Sequence, residues 1–550
     1  MYSVGISLVR NEEDIIESFI RSNLEFLDGI FIFDNRSTDG TRDIIKALMH
    51  EGLPVCLSDD NDLAHIQAQK MTIFLHRIGS IVPVEFIVPL DADEFIECEN
   101  RSVFQAALNS IPLDGVGLWK WKTYLLSPDE LAQQEMKTTR PSQYKFFRNR
   151  EIPQFSKAVI RIAQKKVTDL ALTQGNHELV APYFLQNAEL KDISLAHFPV
   201  RSKTQIYIKA ILGNLAYEIR EKNTNKNRDM GFQKRNLYDR ILNGENFSGI
   251  ELCNIALNYA QVPGSFQWPE NVLDANNILP DVENKYSNKE IRADILVGML
   301  RSYHEYILGP AVWFDPTDTY SSTLEDSSPP IYSSAIEKDG DIKNISLDIP
   351  PLKYLYDRFS PESILDVGCD LCQRVRLFNN LGVHRTLGMD ANKPGILFVP
   401  PENHVLHDSS MPIDLQEKFD LVICMETAGN SLPGAEGVLI ANIERHAENL
   451  VLFSIAVPGQ SGNVNSSTFS FWANQWAERG WAPMLFETLG FRALSTFSWL
   501  RRNSVLLSRT KNKIEALEKW EPFLQISEEE YVYYGQQPEI ITDPLAQSFH

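Results

Sequence analysis

The sequence predicts an α/β protein made of two successive strand–helix units. Three observations predict it. Short apolar runs bounded by polar loops recur through residues 1–100 and again through residues 360–456, with helical spacing between them. Alternation of that kind specifies parallel sheets with crossover helices. Several of the runs end in acidic loops, and ligands of open α/β sheets bind outside the carboxyl ends of the strands. Finally, a chain of 550 residues with 43% hydrophobic content can fill several cores, about three or four units at roughly 100–200 residues each.

Val4–Val9 (V-G-I-S-L-V) reads as a buried strand, broken by Arg10-Asn11-Glu12-Glu13. Asp14–Leu27 has apolar residues at helical spacing. A second strand, Ile30–Phe33, runs into Asp34-Asn35-Arg36-Ser37-Thr38-Asp39-Gly40-Thr41. There Asp39-Gly40 is a turn pair, and Thr41 is expected to cap a helix over Thr41–His50. Pro54–Leu57 is a third strand, Leu63–Arg77 a helix and Glu85–Leu90 a fourth strand. The stretch Glu85–Glu94 reads E-F-I-V-P-L-D-A-D-E, so Asp91, Asp93 and Glu94 emerge as the strand ends. Asp91 and Asp93 are two apart, and an extended backbone would turn both to one side. Two hard oxygen donors so placed suit Mg²⁺ or Mn²⁺ bridged to substrate phosphates. The plain alternative is a solvated acidic turn.

The N-terminal V-G-I-S-L-V-R-N-E-E, then F-D-N-R-S-T-D-G-T, then L-D-A-D-E-F, in this order and spacing, resemble a family 2 glycosyltransferase of GT-A, Rossmann-like fold. The likeness covers the first 100 residues well and extends more loosely to residue 215, where H-F-P-V-R-S is similar to an element of one bacterial branch. It implies a domain over 1–215 that takes a nucleotide-sugar donor. Asp34, Asn35, Asp39, Asp91 and Arg201 would contact that donor. Asp91, Asp93, His197 and His177 would be the metal ligands, with Lys157 and Lys203 as further cations near the diphosphate. Inverting transfer needs a carboxylate to deprotonate the acceptor hydroxyl; Glu178 is the candidate, with Asp93 the other catalytic carboxylate. Trp119 and Trp121 either stack on sugar faces or fill core and rim.

Residues 216–314 carry helical spacing at Arg235–Leu242, Ile250–Tyr259 and Asn288–Leu308 and read as a helical extension. Residues 315–349, beginning D-P-T-D-T-Y-S-S-T, form a linker by composition.

Strand patterns return over 350–510 at Ser363–Val367, Leu387–Met389, Phe419–Cys424 and Asn449–Ala456. L-D-V-G-C, G-M-D-A, H-D-S-S and F-D-L-V-I-C-M-E resemble a class I S-adenosylmethionine-dependent methyltransferase. That likeness implies a cofactor site at Asp366, Gly368, Cys369, Asp390, Ala391, Asp408, Ser409 and Cys424. Asp390 would take the ribose hydroxyls and Asp408 the adenine amine. Here the glycine loop runs Gly368-Cys369-Asp370-Leu371-Cys372 in place of Gly-x-Gly, and T-A-G-N follows Glu426 where many relatives have an acid–histidine pair. Cys369 and Cys372 form a C-x-x-C with no second cysteine pair, which argues against zinc. The polar stretch Ala456–Asn465 and the aromatic Trp472–Trp481 are candidate acceptor surfaces or structural. Residues 511–550 end in an acidic, tyrosine-rich tail.

The net charge of −21 and pI near 5.0 disfavour non-specific contact with nucleic acid or an anionic membrane. Six cysteines show no disulfide framework. With no leader pattern and no apolar run of about 18 residues, a cytoplasmic protein without a membrane span is expected. Together the two resemblances imply a bifunctional enzyme of bacterial surface-polysaccharide synthesis. It would transfer a sugar to a glycan or lipid-linked glycan and methylate a sugar hydroxyl. The alternative is an active first domain joined to a non-catalytic, methyltransferase-like binding module.

Overall fold

The computed structural model describes residues 2–60, 67–81, 84–113, 115–133, 140–162, 167–224, 232–260, 264–275, 279, 282–286, 333–336, 342–345, 347–391, 397–455, 465, 467–497 and 500–524. The chain forms two compact units, with the main division between Ser321 and Ser322.

The first unit begins β1 (Ser3–Val9), α1 (Ile16–Leu24), β2 (Gly29–Asp34), α2 (Thr41–His50), β3 (Val55–Asp59), α3 (Gln67–Gly79) and β4 (Phe86–Pro89). The four strands are parallel in the order β3-β2-β1-β4. All six residues of β2 are buried, as a strand covered on both faces requires. The order reverses between β1 and β4, and that switch point is where such sheets open a crevice. Val9 and Pro89 end at this crevice.

The chain continues β5 (Glu94–Glu97), α4 (Arg101–Asn109), β6 (Gly115–Leu125), α5 (Pro128–Gln133), β7 (Phe146–Arg148), β8 (Ser156–Arg161), the short pair β9 (Ala171–Leu172) and β10 (Leu179–Val180), then β11 (Gln186–His197). Strand β8 lies antiparallel between β4 and β6. Strand β11 pairs with both β5 and β6, with His197 opposite Glu94 and Thr123.

Helices α6 (Lys203–Thr224), α7 (Phe232–Leu242) and α8 (Gly249–Leu257) follow, then β12 (Val272–Asp274). The middle segment is joined to this unit. Strand β12 extends its sheet through β7, and the Cys253 thiol donates to the Leu126 carbonyl at 3.3 Å. Gly249 lies so close to α5 that a Cβ there would stand 1.9 Å from the Pro128 carbonyl oxygen. Asn288–Leu308, the linker stretch and the acidic tail lie outside the described residues.

Two expectations fail locally. Thr41 is the first helical residue rather than the cap of α2, which is Gly40; its hydroxyl accepts instead from the Glu12 amide at 2.8 Å. The segment from Asp91 to Glu94 is a tight turn, closed by the Glu94 amide on the Asp91 carbonyl at 3.0 Å. The alternation of an extended strand therefore does not orient Asp91 and Asp93.

The second unit holds a hairpin, β13 (Ser333–Ile336) with β14 (Ile342–Ile345), and the strands β15 (Ser363–Val367), β16 (Arg385–Asp390), β17 (His404–Leu406), β18 (Phe419–Cys424), β19 (Ala447–Ser454), β20 (Trp481–Pro483) and β21 (Ser504–Arg509). They are ordered β17-β16-β15-β18-β19-β21-β20, parallel except for β21. The switch point falls between β15 and β18. Trp472, Trp476, Trp481 and Trp520 are fully buried in the core, so Trp472–Trp481 is structural and not an acceptor surface. Asn465 is also buried, donating to Glu436 at 2.8 Å, and residues 456–464 lie outside the described residues. No described helix of the chain is long and apolar enough to cross a membrane.

Candidate functional site

At the switch point of the first unit the turn after β4 meets three cations. Lys157, on β8 beside β4, lies 2.8 Å from Asp91 Oδ2 and 2.8 Å from Glu94 Oε1. Gln67, at the start of α3, donates to Asp91 Oδ1 at 2.9 Å. Asp93 receives Lys209 Nζ at 2.5 Å on Oδ2, with Arg201 Nη1 at 3.8 Å. His197 Nε2 stands 3.9 Å from Asp93 Oδ1. Arg201 is buried and spans back to the loop after β1, donating to both Asp14 oxygens at 2.7 and 3.0 Å and to Glu12.

These groups fix one another's charge. Burial would lower Lys157, but Asp91 and Glu94 hold it above the usual lysine range. Glu94 is pushed up to about 8, chiefly by burial and against the pull of Lys157. For Asp93 burial is the largest influence and is upward, yet Lys209, His197 and Arg201 together outweigh it and hold the carboxyl below its usual range. His197 is lowered to about 3, chiefly by burial, so it is neutral at physiological pH. Its ring stacks on Trp121 at 4.5 Å and 6°, and its Nδ1 has no hydrogen-bond partner among the described residues. Trp121 is thus committed to His197, and Trp119 is fully buried.

His177 is tied by Nδ1 to the Ser156 carbonyl at 2.9 Å and packs on Phe155 and Trp121. Glu178 is exposed. Lys203 pairs with Asn246 on the surface.

The loop after β2 is built largely from its own polar groups. Asp34 is fully buried; its Oδ2 accepts from the Ser37 amide at 3.0 Å and from Arg42 at 2.9 Å, and Oδ1 has no partner among the described residues. The Asn35 amide donates to Asp60 Oδ2 at 2.8 Å, and Lys70 pairs with Asp60 at 2.6 Å. Asp39 accepts from the Thr41 and Glu13 amides at 3.0 and 3.2 Å, and burial raises it to about 7.

A divalent cation does not fit this cluster as built. Each candidate carboxylate already carries a lysine. Among the described residues, Asp91, Asp93, His177 and His197 do not gather as a set of metal donors. The sequence pointed to Lys157 and Arg201 but missed Lys209 and Gln67. The available signal for Lys209 was its place as a lone cation in the apolar run I-Y-I-K-A-I-L of α6, since a lysine drawn into apolar surroundings is retained there by a charged partner.

In the second unit Gly368 (φ +77) turns out of β15, and its amide donates to the Met389 carbonyl at 2.7 Å. A Cβ on Gly368 would lie 1.9 Å from Thr427 Oγ1. Asp366 is fully buried and paired with Arg374 Nε at 3.0 Å, while Arg374 Nη2 donates to the Gly368 carbonyl at 3.0 Å. Asp390 ends β16 half-buried and accepts from the Asp370 amide at 3.0 Å; Ala391 follows it. Asp408 and Ser409 lie beyond β17, with Asp408 Oδ1 capping the Ser410 amide at 2.9 Å. Cys424 is fully buried at the end of β18, where burial raises its thiol to about 12. Gly368, Asp390, Asp408 and Cys424 thus stand at or just beyond the carboxyl ends of β15, β16, β17 and β18, while Asp366 and Cys424 are fully buried. Arg374, which organises the glycine loop, had no motif to announce it.

No protein-family model and no curated protein matches the chain. Among solved structures, TehB from Haemophilus influenzae is similar at 16% identity with a TM-score of 0.20, over 24% of this chain and 50% of that one. The plantazolicin methyltransferase BpumL, in complex with a pentazolic desmethylPZN analogue and SAH, is similar at 14% identity with a TM-score of 0.22, over 29% of this chain and 82% of that one. The chain spans about half the length of TehB. Overlaps this small carry no argument about activity.

Proposed function

We propose that the chain is a two-domain transferase. The first unit takes a nucleotide sugar and passes the sugar to a hydroxyl of a glycan acceptor, and the second binds S-adenosylmethionine and methylates a sugar hydroxyl. The observation that carries the first half is the convergence of Lys157, Lys209 and Arg201 on the acidic turn at the switch point of its sheet. Departure of a nucleoside diphosphate develops negative charge, and in this reading the diphosphate draws Lys157 and Lys209 from the carboxylates that hold them in the unliganded chain. In this reading the acceptor oxygen forms a bond to the anomeric carbon as that carbon's bond to phosphate breaks. Glu178 accepts the acceptor's proton, and the loop after β2, which the buried Asp34 braces from within, takes the nucleoside. No step is routed through a metal ion.

For the second half, the strand order and the line of Gly368, Asp390, Asp408 and Cys424 along the sheet's carboxyl edge support a cofactor site. S-adenosylmethionine would supply the methyl group; Asp390 would hold the ribose and Asp408 the adenine. A second reading, with this unit binding without catalysing, is favoured by the pairing of Arg374 with Asp366 and by Asp370 in the loop.

The test is calorimetry of the full chain against a panel of nucleotide sugars, with and without Mn²⁺, and against S-adenosylmethionine, followed by turnover assays on the hits. Heat and turnover with one donor, little changed by chelator, would support the first half. No heat with any donor in either condition would overturn it, and no heat with millimolar S-adenosylmethionine would overturn the second.

A further inference from the structure

We infer that the second unit carries a Zn²⁺ site made by Cys369, Cys372 and His404. The C-x-x-C alone offers only two ligands, and the absent second cysteine pair argued against zinc. The fold supplies the third from elsewhere. Both cysteines sit in the loop after β15, β15 pairs with β16, and β16 pairs with β17, which His404 opens. One donor atom from each residue lies within 4.8 Å of the others, and the two sulfurs are 3.2 Å apart. Both cysteines are buried, and His404 is half-buried at an edge strand.

Two further features point at a ligand. His404 Nε2 is buried without a hydrogen-bond partner among the described residues, and such a nitrogen calls for an explanation. Gly388, opposite His404 in the β16–β17 register, forms the floor of the cluster: a Cβ there would lie 2.7 Å from each sulfur. The loop is also bent to purpose, with Asp370 and Cys372 both at positive φ (48° and 62°), conformations that cost non-glycine residues free energy.

Two thiolates and an imidazole are a zinc donor set. With Zn–S near ~2.3 Å the sulfurs of a tetrahedral site stand roughly 3.8 Å apart, so the thiols need separate by only about half an ångström. Three protein ligands leave the fourth position to water or a substrate group. The ion would tie the loop that carries Gly368 to β17. The inference rests on donor geometry and is independent of the proposed methyl transfer.

The full chain, stripped by chelator under reductant, is titrated with Co²⁺ and then Zn²⁺. A thiolate-to-cobalt charge-transfer band saturating at one equivalent, bleached by one equivalent of Zn²⁺, is expected. Cys372→Ser should abolish the band and His404→Asn should weaken Co²⁺ binding at least ten-fold. Should Cys372→Ser fail to fold, Zn²⁺ protection of Cys369 and Cys372 from alkylation in the wild-type chain decides the matter. The absence of a band in the wild-type chain, or a band unchanged in His404→Asn, overturns the site. So does a Cys369–Cys372 disulfide that alone accounts for alkylation resistance.

Discussion

Lys157 is 1% exposed and Glu94 fully buried, and both sit beside Asp91. Breaking a buried ion pair by removing one partner costs about 3–5 kcal/mol, because the surviving charge keeps its desolvation penalty. Glu94, raised to about 8, is largely protonated at neutral pH, so the charge that Lys157→Met leaves behind is that of Asp91, 31% exposed; the variant should destabilise the first unit by about 1–3 kcal/mol in urea unfolding at neutral pH, whatever the substrate. His197 gives a pH dependence of definite sign. Its folded value of about 3 lies below the ordinary 6.5, so its contribution is fully present above pH 6.5 and is lost as pH falls towards 3. Within that window each pH unit removes at most about 1.4 kcal/mol. Compared with His197→Gln, which carries no titrating ring, the wild-type chain should lose stability on acidification. Parallel pH–stability curves for the two would remove His197 from the account.

At the scale of elements, the loop after β15 depends on one absent methyl group. Gly368→Ala meets both a left-handed backbone, at about 1–2 kcal/mol, and Thr427 Oγ1 at 1.9 Å. It should lower the second unit's midpoint and weaken cofactor heat. Adding Thr427→Ala should recover part of the loss, and that non-additivity is the readable signature. The last described helix, Lys513–Leu524, is held by Trp520, fully buried and donating from Nε1 to the Trp481 carbonyl at 3.0 Å. Trp520→Ala should cost about 3–5 kcal/mol; a change below 1 kcal/mol in chemical unfolding would show that the helix is dispensable.

For the molecule as a whole, each unit has its own sheet and switch point, so the two proposed sites should be separable by mutation. Asp93→Ala is expected to abolish nucleotide-sugar heat while leaving S-adenosylmethionine heat intact, and Asp390→Ala to do the reverse. Loss of both heats in either variant would contradict two separate sites.

The alternation of strands and helices and the acidic loops at strand ends were already readable in the residues. These are local properties: apolar periodicity and turn chemistry act over a few residues, so β1, β2, β4, β15 and β18 were legible. The sequence also named Asp91, Asp93, Lys157, His197 and Arg201 as chemistry-bearing side chains. What each of them touches emerges only once the chain is folded. The one-sided orientation expected of Asp91 and Asp93 fails because one hydrogen bond, from the Glu94 amide to the Asp91 carbonyl, converts an expected extension into a turn. Lys209 reaches Asp93 across 116 residues, and His404 reaches Cys369 and Cys372 only through two successive strand pairings. Such contacts arise where pairing and packing close long loops, and no short-range pattern of residue types encodes that closure.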